Sequence, residues 1–110
     1  MPSAVLTLTE MTFDEEVRVS PVPVIVEFWA QWCPPCKVMA PMLDSLATDL
    51  EGRLRVGKIN VDEYPDLAAR YDVVSVPTFL VFAEGELRRT MIGARSRAQL
   101  LEDVGVPISR

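Results

Sequence analysis

The stretch Trp29-Ala30-Gln31-Trp32-Cys33-Pro34-Pro35-Cys36-Lys37, WAQWCPPCK, holds both tryptophans and the only two cysteines of the chain. Before it runs Val24-Ile25-Val26-Glu27-Phe28, a β-branched segment broken by one acid. Such a run reads as a strand over Val24–Ala30, buried on both faces. After it, Val38, Met39, Met42, Leu43, Leu46 and Leu50 recur at helical spacing, so the cysteines sit where a buried strand gives way to a helix. Proline suits the first turn of a helix, where its missing N–H would have no partner. Residues i and i+3 of a helical turn lie roughly 5–6 Å apart, within the range a disulfide accepts, so dithiol and disulfide both form with little backbone movement. The partial positive charge of a helix N-terminus favours a thiolate at Cys33. Cys36, one turn inward, is expected to be more buried and less reactive. Cys33 is then the attacking thiol and Cys36 the one that resolves a mixed disulfide.

Other uses of the pair fit less well. Structural zinc asks for four ligands, and the chain has two cysteines and no histidine. A cluster bridging subunits is the metal arrangement that remains. Two inert buried cysteines would not need this strand–CxxC–helix setting.

The bulk of the sequence narrows the class. At 110 residues the chain is one domain, 1–110, large enough to bury a core without disulfide staples. A net charge of −5 with no basic run argues against nucleic acid and anionic membranes as partners. Met1 to Val5 shows neither the positive n-region nor the apolar h-region of a signal peptide. The longest apolar run, about seven residues around Val22–Val26, contains Pro23 and is too short to span a membrane. The expectation is a cytoplasmic protein, where paired cysteines are more often catalytic or metal-binding than structural.

Along the rest of the chain, Val5–Leu8 reads as a short edge strand. Met11–Val19 reads as a helix with Phe13 and Val17 on one face, capped by Thr9 or Thr12 and ended by Pro21 and Pro23. Pro41 is expected to kink the long helix, and Gly52 to stop it. Arg55–Val61 is a strand, Asp66–Tyr71 a short helix and Thr78–Phe82 a strand. Glu84-Gly85 is a turn into a hairpin partner at Glu86–Ile92. Ser96 caps a last helix, Ser96–Val104, with Gly105 and Pro107 after its end. The order β-α-β-α-β-α-β-β-α predicts an α/β fold: a mixed sheet of about five strands flanked by about four helices, parallel at first and closed by a hairpin.

VEFWAQWCPPCKVMAPML, at Val26–Leu43, resembles the active-site strand and helix of the thioredoxin family. KINVD at Lys58–Asp62 resembles its third strand, SVPTF at Ser75–Phe79 its cis-proline loop, and FAEGE followed by Gly93 its terminal hairpin. The spacing agrees from about residue 5 to residue 104. The resemblance implies the thioredoxin fold and a thiol–disulfide oxidoreductase that reduces protein disulfides, with Cys33 as nucleophile and Cys36 as resolving thiol. It implies no bound cofactor beyond the redox-active Cys33–Cys36 disulfide. It also implies re-reduction by an NADPH-dependent flavoprotein thioredoxin reductase, and a monomer. Val76-Pro77 would be a cis bond facing Cys33, with the Val76 backbone pairing with an extended substrate; from the sequence alone an ordinary trans bond is commoner. Trp32, Pro34, Pro35, Val76, Pro77, Gly93 and Ala94 would form the apolar docking surface. Trp29 would pack beneath the cysteines, and Pro41 would be structural near them.

Two positions depart from the family pattern. Glu27 stands where the family usually has a buried aspartate that takes the proton of the resolving thiol. It is the candidate general base, with burial raising its pKa and Lys58 on the neighbouring strand opposing that rise; a solvent-facing edge position is the plainer alternative. Pro34 replaces the usual glycine. It stiffens the loop between the sulfurs and removes a second amide donor, leaving the Cys36 N–H as the main local donor to Cys33. Two rival readings stay open: a disulfide oxidase or isomerase, and a non-catalytic subunit that binds a partner through the same apolar surface.

Overall fold

The computed structural model describes residues 3–105. Its five strands are β1 (Leu6–Thr7), β2 (Val24–Trp29), β3 (Arg55–Asn60), β4 (Thr78–Ala83) and β5 (Glu86–Ile92), in the spatial order β1-β3-β2-β4-β5. β1, β3 and β2 run parallel; β4 is antiparallel to β2, and β5 to β4. Three α-helices, α1 (Pro34–Asp49), α2 (Pro65–Arg70) and α3 (Arg97–Val104), and a π-helical segment at Asp14–Arg18 cover the sheet. Both the mixed sheet and the closing hairpin match the expectation.

β2 lies at the centre of the sheet and is buried on both faces, which explains its unbroken apolar character. Its period of two assigns the side chains. Val24, Val26 and Phe28 pack with Phe13, Val17, Leu67 and Leu80 on the face of the π segment and α2. Ile25 packs with Leu43, Leu46, Val56 and Leu100 beneath α1 and α3. Glu27 shares the face of Ile25, which places a carboxyl under the active-site helix.

Several boundaries differ from the sequence reading. The helix expected over Met11–Val19 is confined to Asp14–Arg18. Ahead of it, Thr9 and Thr12 exchange bonds, the Thr12 N–H to Thr9 Oγ1 at 3.2 Å and the Thr9 N–H to Thr12 Oγ1 at 3.1 Å. This is the reciprocal pattern of a helix cap, and the Phe13 N–H donates to the Thr9 carbonyl at 3.0 Å, so Thr9 and Thr12 cap the start of the segment as expected. Phe13 and Val17 are buried as expected. In α1, Met39, Leu43 and Leu46 face the core, but Val38 is exposed, because adjacent helical residues point about 100° apart. α1 runs on past Pro41, which lies on its exposed side, and Gly52 takes a left-handed conformation just after its end. Ser96 and Gln99 form a capping box on α3, and Gly105 closes it with φ +70. Pro107 lies outside the described residues. At the hairpin turn Gly85 has φ +79, and a Cβ there would stand 2.8 Å from the Arg18 carbonyl oxygen, so only glycine fits.

Candidate active site

β2 delivers the chain to the site. The Val61 N–H donates to the Trp29 carbonyl at 3.0 Å, fixing the strand end. The Cys33 N–H donates to the Ala30 carbonyl at 3.2 Å, turning the chain into α1. Cys33 is the N-cap of α1, and Pro34 and Pro35 occupy its first positions, where no amide is missed. The two cysteines form a disulfide with Cα atoms 5.3 Å apart, the separation expected of i and i+3. The Cys36 N–H donates to Cys33 Sγ at 3.3 Å. That is the donor predicted to survive the double proline, and it favours negative charge on Cys33.

The expected difference in burial between the cysteines is not found. Cys33 is 2 % exposed and Cys36 4 %. Both are covered because Ala30, Trp29, Val61 and Val76 pack against the pair, so depth in the helix does not separate them. What separates them is their surroundings. Cys33 accepts the amide at the helix start. Cys36 lines a cavity of about 160 Å³ together with Glu27, Trp29, Lys37 and Lys58.

Glu27 is 3 % exposed, so the edge-strand alternative does not hold. Its Oε2 is buried without a hydrogen-bond partner among the described residues. Burial pushes its carboxyl from the ordinary 4.5 up to about 7, against the opposing pull of the Lys58 ammonium. Lys58 is its register partner on β3, and the Lys58 ammonium also sits over the Trp29 ring, 5.2 Å from the centroid.

The Val76-Pro77 bond is cis, with Pro77 buried and Val76 against the cysteines. The Gly93 N–H donates to the Pro77 carbonyl at 2.8 Å, which draws the β5–α3 connection to this loop. Ala94 follows and is exposed, as are Pro34 and Pro35. Trp32 is 65 % exposed and borders a shallow groove of about 140 Å³ with Val61, Val73, Val74 and Val76. Pro41, two turns beyond Cys33, faces solvent.

Sequence reasoning passed over two contacts. The Trp32 Nε1–H donates to Asp62 Oδ2 at 2.9 Å, and Asn60 Oδ1 accepts from the Asp62 N–H at 2.8 Å, so the end of β3 sets the indole orientation. Arg95, just after Ala94, pairs with buried Asp103. An acid between Leu100 and Val104 on the apolar face of α3 was the available signal.

A disulfide at a strand-to-helix junction, with an amide donor on one sulfur and a buried carboxyl lining the cavity of the other, is the arrangement of a thiol–disulfide oxidoreductase. The family model Thioredoxin matches residues 4–105. The thioredoxin of Acidithiobacillus ferridurans is 44 % identical over 100 residues, covering 91 % of this chain and 93 % of the relative. That of Pseudomonas aeruginosa is 40 % identical over 100 residues, with the same 91 % and 93 % coverage. Thioredoxin 1 of a Nostoc species is 42 % identical over 98 residues, covering 89 % and 92 %. The chain belongs to the thioredoxin family, and its activity is protein-disulfide reduction. Its partners are in general disulfide-bearing substrates and a reductase. Among the described residues no helix is long and apolar enough to cross a membrane.

Proposed function

We propose that the chain reduces protein disulfides by a two-step exchange in which Glu27 serves as the base for Cys36. In the dithiol form, the Cys33 thiolate attacks one sulfur of the target. The target S–S bond breaks, a mixed disulfide forms at Cys33, and the first target sulfur leaves and takes up a proton. Glu27 then accepts the proton of Cys36. The Cys36 thiolate attacks Cys33 Sγ, the second target sulfur leaves, and the Cys33–Cys36 disulfide closes. Two electrons pass to the target. An NADPH-dependent flavoprotein reductase returns them, and the chain works as a cytoplasmic monomer with no cofactor of its own. Trp32, Pro34, Pro35, Val76, Pro77, Gly93 and Ala94 receive the substrate as an apolar rim around the sulfurs.

The observation that carries the proton assignment is the shared cavity: the Glu27 carboxyl, with its unpartnered oxygen, lines the same space as Cys36. The cavity they line, about 160 Å³, has room for water, which needs about 10–15 Å³ of such space per molecule. Glu27→Gln removes the base and keeps the shape. Single-turnover reduction by the variant is expected to be about a hundredfold slower near neutral pH. The parent profile should rise through about pH 7, and the two should converge at alkaline pH, where the Cys36 thiol ionises without a base. Coincident profiles across this range would remove Glu27 from the mechanism.

A further inference from the structure

Two carboxylates are buried in the described residues, and only Glu27 belongs to the redox centre. The other, Asp103, is 2 % exposed and lies on α3 between Leu100 and Val104, both core residues. Arg95 reaches it with two parallel bonds, Nε to Oδ2 and Nη2 to Oδ1, both 2.9 Å. The Arg95 side chain is itself only 26 % exposed. Ion pairs such as Arg88–Glu84 and Arg97–Asp49 join much more exposed side chains.

Stability alone is a poor reason for such a pair, since apolar residues of similar volume at a buried site do as well or better. A bidentate guanidinium–carboxylate contact does supply fixed geometry. Its position shows what is fixed. Gly93, with φ +98, is tied through its N–H to the Pro77 carbonyl, and Arg95 is tied to Asp103. Exposed Ala94 is the single residue between these two anchors.

We propose that Arg95 is a positioning residue of the docking surface: its fork on Asp103 holds the Gly93–Ala94 segment beside Pro77 in the shape that receives a protein substrate. The inference rests on the reading that Gly93 and Ala94 contact the substrate. Without the fork, the segment samples several conformations and binding must order it.

The test compares two variants with the parent. Arg95→Met/Asp103→Leu replaces the ion pair with an apolar pair. Arg95→Lys keeps the charge and loses the fork. Thermal melts establish that each is folded, and Arg95→Lys carries the test if the double variant is not. The KM for insulin, as a protein disulfide, is expected to rise about fivefold, the effect of ordering one backbone residue on binding. Reduction of a small aromatic disulfide and the Cys33–Cys36 potential should hold at parent values. Ala94→Glu, which places a charge in the docking surface itself, is measured alongside. If Ala94→Glu raises the KM for insulin and the folded Arg95 variants do not, the positioning role is overturned and the docking reading stands. If Ala94→Glu is also silent, the docking reading falls and takes the proposal with it. Equal slowing of the small disulfide would mean that Arg95 acts on the fold at large, which also overturns the proposal.

Discussion

Cys33→Ser is expected to abolish disulfide reduction, with a loss on the order of ten thousandfold or more. A serine hydroxyl stays protonated near neutral pH and forms no bond to a disulfide sulfur that can later be exchanged. No electron pair then reaches the target. The replacement is nearly isosteric, so the sheet and α1 should be retained, and circular dichroism checks this. Cys36→Ser separates the two thiols. Cys33 still attacks, but nothing resolves the product, and the chain should accumulate as a covalent adduct with its target, visible as added mass that a reductant removes. An adduct on the Cys33→Ser chain instead would reverse the roles assigned to the cysteines. Reduction that survives in Cys33→Ser would sink the exchange mechanism altogether. A partner-stabilising effect that survives there, with reduction gone, would reveal a binding role beside the redox one.

The second large effect concerns stability. An acid whose pKa is raised by folding binds its proton more tightly in the folded chain than in the unfolded one. For Glu27 the window runs from the ordinary 4.5 to about 7. Within it the folded state carries more proton, so stability falls as pH rises. Below the window both states are protonated and nothing is lost. Above it both are ionised and the full penalty persists, roughly 3 kcal/mol for a shift of this size. Glu27→Leu removes the titrating group. Relative to the parent, the oxidised variant should gain roughly 3 kcal/mol between about pH 4 and about pH 8, measured by urea unfolding at each pH. A stability difference that does not change with pH would show that Glu27 does not titrate in this window. Together with slower turnover of Glu27→Gln, the gain would identify Glu27 as a group kept for chemistry at the expense of the fold.

The elements nearest the site were legible because their signals are local. The β-branched run of β2, the prolines at the start of α1, the Glu84-Gly85 turn and the Ser96 cap each act within a few residues. At the Asp14–Arg18 segment the Thr9 and Thr12 cap was legible, but the π form was not, because it differs from an α-helix in its backbone hydrogen bonds and the Phe13/Val17 spacing suits both. The relative burial of the cysteines was misjudged for a different reason. Position along a helix says how far a residue lies from the helix end, but cover over the pair includes Val61 and Val76, distant in sequence.

The order of the elements and the place of the CxxC pair at the head of a helix could be read from the residues alone, and the family and the reaction from their resemblance. Spacing and capping are properties of neighbouring residues, and a neighbour's chemistry is written beside it. Packing between distant segments is what buries Glu27 at the cavity that Cys36 lines, sets Asp62 against Trp32 and locks Arg95 to Asp103. Each of these joins residues on different elements or across a turn. The distance between such residues is set by strand register and helix packing, and desolvation, which raises the Glu27 pKa, exists only once the core has closed around it.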